Sequence, residues 1–137
     1  MKSLKIFLFA FSLLVLAMPT GASNQTQAEM NQDACGKYKK SDATLNETYQ
    51  RILREYGKDQ VFIQKIKAAQ RAWLEFRDAH IAAIYPDPDP RAYGSVNPMC
   101  RCLILVQLTE ERTKALQQWI DGTIEGDVCA GSVRIKR

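Results

Sequence analysis

The sequence predicts an all-α domain, a small antiparallel three-helix bundle whose C-terminal tail is tied back by a disulfide. Three observations predict it. Apolar residues recur at steps of three and four over long stretches, which is helical spacing. Short breaks rich in glycine, aspartate and proline divide those stretches. Four cysteines stand in a chain of 137 residues that opens on an export-type leader.

Residues 1–22 read as a secretory signal. Lys2 and Lys5 make a charged start, Ile6 to Met18 is apolar apart from Ser12, and Thr20-Gly21-Ala22 offers small residues for a signal peptidase. The apolar run is shorter than the ~20 residues of a spanning helix. No cysteine follows the cleavage point, so no lipid attachment is expected there. Removing 22 of the 137 residues, two of them lysines, leaves 115 and lowers the net charge from +4 to +2. That is one domain over residues 23–122 with a tail over 123–137. The balance predicts no nucleic-acid partner and no stable membrane anchor after cleavage. The expected location is periplasmic or secreted.

The first helix is expected over about residues 28–56. Met30, Ala34, Tyr38, Leu45, Tyr49, Ile52, Leu53 and Tyr56 follow one stripe, with a polar gap at Ser41 and Asp42. Gly57 supplies a stop and Asp59 a cap for the next helix. So short a hinge forces an antiparallel pair. The second helix ends before Tyr85. Its inner stripe is expected at Ile63, Ile66, Ala69, Trp73, Phe76, Ala83 and Ile84, with His80 on the same face. Lys65, Lys67, Arg71, Glu75 and Asp78 fall mainly outside.

Tyr85-Pro86-Asp87-Pro88-Asp89-Pro90 cannot continue a helix. The loop runs on to Pro98, at about 14 residues where 2–8 is usual. Proline stiffens it, which suits a presented surface. Arg91, Tyr93 and Ser95 are its candidate partner-binding residues. The third helix is expected over about residues 99–120. Cys102, Leu105, Val106, Thr109, Thr113, Leu116, Trp119 and Ile120 form its inner side, and Asp121-Gly122 ends it.

Four cysteines in an exported chain predict disulfides. Cys100 with Cys102 would close too tight a ring, which leaves two pairings. The first and third helices start at the same end, so Cys35 meets Cys100 or Cys102. Cys102 lies on the inner stripe, so the expected bridges are Cys35–Cys102 and Cys100–Cys129. A metal site from Cys100, Cys102, Cys129 and His80 lacks zinc spacing, and no cofactor or metal is expected. His80, Asp78, Glu75 or a cysteine would have to carry any catalysis. No convergent acid–base signature joins them, so no enzymatic role is expected.

Three blocks carry a family resemblance. The first is Met30-Asn31, Cys35, Tyr38, Asp42, Leu45-Asn46 and Tyr49. The second is Ala69-Gln70-Arg71-Ala72-Trp73-Leu74, then Phe76-Arg77-Asp78-Ala79. The third is Gly94-Ser95, Leu108-Thr109, Arg112 and Leu116. In this order and behind a leader, the chain resembles the LprI-type lysozyme inhibitor family over about residues 30–116.

The resemblance implies a small helical, disulfide-bonded, extracytoplasmic bacterial protein. The family's founding member is a mycobacterial lipoprotein that inhibits lysozyme. Members commonly carry a cysteine where this chain has Ile81, and a partner close to Ile104. Gln70, Arg71, Arg77, Asp78 and Arg112 are polar positions shared with the family pattern. They are read as structural, with Arg77 expected to stack on Trp73 or bridge a first-helix carboxylate such as Asp42. The functional expectation is a protein-binding module that blocks lysozyme through the loop. The alternative is an envelope interaction or stress protein with another protein partner.

Overall fold

A computed structural model describes residues 25–136. Three helices account for most of them: α1 (Gln27–Glu55), α2 (Gln60–Ile84) and α3 (Asn97–Asp121). The predicted signal at residues 1–22 lies outside the described residues. None of the described helices is long and apolar enough to cross a membrane.

Each helix starts where local chemistry allows. Thr26 caps α1 and forms a reciprocal box with Glu29, whose carboxylate accepts from the Thr26 N–H at 2.7 Å. Asp59 caps α2 by accepting from the Phe62 N–H at 2.9 Å, as its spacing predicts. Helix α3 starts two residues before the expected position, because Pro98 sits in its first turn, where its missing N–H is no loss.

The chain runs up, down and up. Helices α1 and α3 are parallel and pack closest, while the α2 backbone stands further off. The apolar core gathers at the Gly57 end. Leu45, Ile52, Tyr56, Phe62, Ile63, Ile66 and Leu116 are buried together there, with Tyr49, Leu53, Trp73, Trp119 and Ile120 against them. The loop end has a thinner apolar filling, chiefly Ala34 and Ile81. There the Cys35–Cys102 disulfide joins α1 to α3, as expected. It spans 67 residues of chain, for which loop-closure entropy gives about 4 kcal/mol.

The buried stripe of α2 differs from the expected one. It runs through Phe62, Ile63, Ile66, Gln70 and Ile81, with Trp73 and Arg77 half-buried. Phe76 is 53% exposed and Ile84 42%, and Ala69, His80 and Ala83 are exposed as well. Apolar residues occupy two adjacent flanks of this helix. The flank that carries Gln70 and Arg77 turns inward because those long side chains find partners on α1 and α3.

The Cys100–Cys129 bridge does not form; both thiols are free. Cys100 lies in the first turn of α3. Cys129 lies beyond the far end, ~30 Å away at ~1.5 Å per residue. The tail stays at that far end. Thr123 forms a parallel bridge with Ile135, and Trp119 Nε1 donates to Ser132 Oγ at 3.0 Å. The Arg134 guanidinium lies 3.9 Å from the centre of the Tyr56 ring and donates to the Glu55 carbonyl. Hydrogen bonds and a cation–π contact therefore hold the tail where a disulfide was expected. Gly122 makes the turn possible. Its φ is 69°, and a Cβ there would lie 2.7 Å from the Arg134 carbonyl oxygen.

Candidate functional site

The loop between α2 and α3 is built from short-range hydrogen bonds. Alternate prolines stop α2 and hold the chain extended. The Asp87 N–H then donates to the Tyr93 hydroxyl at 2.6 Å, and the Asp89 N–H to the Asp87 carboxylate at 2.8 Å. Pro90–Tyr93 forms one 3₁₀ turn, capped by Asp89. The Asp89 carboxylate accepts the Arg91 N–H at 3.0 Å and pairs with its guanidinium at 2.9 Å. That pairing holds the Asp89 carboxyl below its ordinary pKa and pushes Arg91 up.

Distant residues fix this loop to the bundle. The Tyr85 and Tyr93 rings meet edge to face at 5.1 Å, and the Arg101 guanidinium lies 5.0 Å from the centre of the Tyr85 ring. Asn31 of α1 donates to the Ser95 carbonyl at 2.9 Å. The disulfide lies directly behind, with Cys35 Sγ 3.7 Å from the Pro98 carbonyl oxygen. Loop and helix ends therefore form one braced unit.

The three candidate residues differ in what they offer. The Arg91 side chain is 90% exposed, although Asp89 occupies Nε and Nη2. Ser95 is exposed. Tyr93 is half-buried, and its oxygen already accepts a loop hydrogen bond. A shallow cavity of about 340 Å³ opens beside them, lined by Pro90, Arg91, Gly94, Ser95, Asn97 and Pro98. Asn97 is buried, and its Nδ2 has no partner among the described residues. Leaving such a donor unpaired typically costs about 1–3 kcal/mol. Asn31, Tyr85, Asn97 and Arg101 were not among the sequence candidates. Asn-Pro at a helix start was the one local signal; the rest act over long separations.

The shared polar positions lie along α2 and α3, away from the loop. Arg77 meets both expectations: it lies 5.5 Å from the centre of the Trp73 ring and 4.0 Å from the Asp42 carboxylate. It also donates to the Tyr38 hydroxyl at 3.2 Å and pairs with Asp78 at 2.7 Å. Burial pushes the Tyr38 phenol up, against the opposing charge of Arg77. Arg112 Nε donates to Gln70 Oε1 at 3.0 Å. Burial pulls the Arg112 pKa down and pushes that of Tyr49 up, with Arg71 and Arg112 both opposing the Tyr49 shift. Arg71 is exposed.

The residues weighed for catalysis or metal binding are dispersed. His80 is exposed, against the expectation of a core position, and its ring lies 5.5 Å from that of Phe76. Cys102 is bound in the disulfide, while Cys100 and Cys129 lie at opposite ends of α3. Among the described residues no three metal-ligating side chains converge. A second groove, of about 770 Å³, runs between α1 and α3 past Lys40, Glu110, Lys114 and Lys136. It is wide and lined by exposed charges of both signs.

Comparison with known proteins supplies the rest. The family model described as lysozyme inhibitor LprI matches residues 18–116, which span α1, α2, the loop and most of α3. An uncharacterised protein of Rhizobium meliloti (strain 1021) is 30% identical over 109 residues, covering 70% of this chain and 75% of its own. No solved structure matches the chain. Since the family model matches residues 18–116, well over half of the chain, the chain belongs to the LprI lysozyme inhibitor family.

Proposed function

We propose that this protein is an extracytoplasmic protein-binding module that inhibits lysozyme by presenting residues 85–98 to the enzyme's cleft. The observation that carries the reading is the exposed Arg91 on a loop braced by Asp89, Tyr93, Asn31 and the nearby disulfide. A pre-ordered loop loses little entropy on docking. Lysozyme works through two carboxylates in a cleft. A guanidinium or hydroxyl entering that cleft would hydrogen-bond them and block substrate.

The test is lysozyme turnover in the presence of purified, oxidised protein. Inhibition is expected. It should weaken in Arg91→Ala and Ser95→Ala and persist in Arg91→Lys at reduced strength, because lysine keeps the charge and loses the fork. Tyr93→Phe separates the ring's packing from its hydroxyl. No effect on either c-type or g-type enzyme removes the reading. Inhibition that survives the triple alanine change at Arg91, Tyr93 and Ser95 moves the contact surface elsewhere.

A second reading has its own support. The exposed flank of α2 with Phe76, Ala83 and Ile84 is an apolar surface that another envelope protein would cover. Pull-down from periplasmic extract with wild type and Phe76→Glu separates it from the loop reading.

A further inference from the structure

We propose that the exposed flank of α2 pairs with the same flank of a second copy of this chain, the two helices running antiparallel about Ala72. Ala69, Ala72, Phe76, Ala79 and Ala83 recur at steps of three and four, which places them on one side of the helix. All five are exposed, Phe76 to 53%. The ring's one aromatic neighbour among the described residues is His80, on the same helix. Val61 continues this flank toward the start of α2 and is 70% exposed. A contiguous apolar flank on an otherwise charged helix surface marks a place where another chain docks.

The charges of α2 identify the occupant as another α2. Lys65, Lys67 and Arg71 are exposed in its first half, Glu75 and Asp78 in its second, and Asp87 just beyond its end. Of these six only Asp78 forms an ion pair among the described residues, with Arg77. The first turn holds no acid beyond the Asp59 cap and the last turn no base, so the charges do not offset the helix dipole. An antiparallel copy lays each basic half on an acidic half, whereas a parallel copy would set like on like. Ala72 is the midpoint of Gln60–Ile84. Full overlap about it brings Phe76 opposite Ala68 of the second copy. Lys65, Ala68, Ala69 and Ala72 are spaced as the four corners of a hole on a helix surface, and all are exposed. The second copy's Phe76 is the knob that fills it, and its Glu75 comes within one turn of Lys65. The pairing is isologous, so each contact occurs twice. The two loops at residues 85–98 lie at opposite ends of such a pair.

The test is sedimentation equilibrium of the oxidised protein purified after export. Cys100 and Cys129 are capped with iodoacetamide so that sulfur cannot join the copies. A mass that rises with concentration toward two chains is expected. Phe76→Glu should weaken association about tenfold or more and leave helical circular dichroism unchanged, because the ring is largely exposed. Lys65→Glu and Glu75→Lys should each weaken it. The two together should restore it, since the swapped pair keeps opposite signs. A single-chain mass at up to about 1 mM overturns the proposal. Association that survives Phe76→Glu overturns it as well, as does a double charge variant no better than the single ones. Should Phe76→Glu lose its helical signal, the charge series decides. A single-chain mass together with Phe76-dependent capture of another envelope protein gives the flank to that protein and overturns self-pairing.

Discussion

Arg112 Nε donates to Gln70 Oε1 at 3.0 Å, a contact between the middle of α3 and the middle of α2. Its surroundings are incompletely satisfied, because among the described residues Arg112 Nη2 and Thr109 Oγ1 are buried on α3 without partners. The cation lies in a partly dry setting that pulls its pKa down.

That imbalance predicts an unequal response to substitution. Gln70→Ala should destabilise by about 1–3 kcal/mol, since it strips the acceptor from a partly buried cation. Gln70→Leu with Arg112→Met should lose less than the single change, because both polar partners go together. Urea denaturation of the three proteins checks this. A double variant no more stable than Gln70→Ala contradicts it.

The sulfur framework is countable. Oxidised, denatured protein should show two reactive thiols, Cys100 and Cys129, and peptide mapping should recover only the Cys35–Cys102 link. Cys100→Ser and Cys129→Ser should therefore leave thermal stability nearly unchanged. Cys35→Ser with Cys102→Ser should destabilise by about 2–4 kcal/mol. Loss at the loop end should come first, since the apolar core lies at the other end.

Gly122 is the pivot of the tail. Gly122→Ala forces a side chain into backbone geometry that essentially only glycine adopts, against the Arg134 carbonyl. A loss of about 1–3 kcal/mol is expected. The tail should detach before the helices melt. Trp119 fluorescence reports it, because the indole N–H bond to Ser132 breaks.

Acid should loosen the loop. Hydrogen bonds from the Arg91 side chain, then from its backbone, hold the Asp89 carboxyl below its ordinary pKa. A carboxyl lowered in the folded state stabilises it above the ordinary value, and that contribution fades as pH falls through the lowered value. Glu29 at the start of α1 and Asp127 in the tail are lowered too, Glu29 chiefly by the Thr26 backbone and Asp127 chiefly by the Thr123 hydroxyl. Tyr85 and Tyr93 ring-proton shifts should move in acid while far-UV circular dichroism holds. In Asp89→Asn the acid-dependent movement should shrink.

The sequence by itself determined the local architecture. Helical spacing, Gly57, the Asp59 cap and alternate prolines between residues 86 and 90 act within a few residues, so three helices, the hinge and the stiff loop were legible. The Cys35–Cys102 link was legible too, because parallel α1 and α3 bring those positions together whatever the details. Tertiary structure alone decided which flank of α2 faces inward and where the tail lies. Apolar residues cover both flanks of α2, and the inward one is chosen by Gln70 and Arg77 reaching Arg112, Tyr38 and Asp42 across the bundle. The tail is placed by Arg134 and Ser132 meeting Tyr56, Glu55 and Trp119, contacts of long sequence range or across a turn that no local pattern encodes.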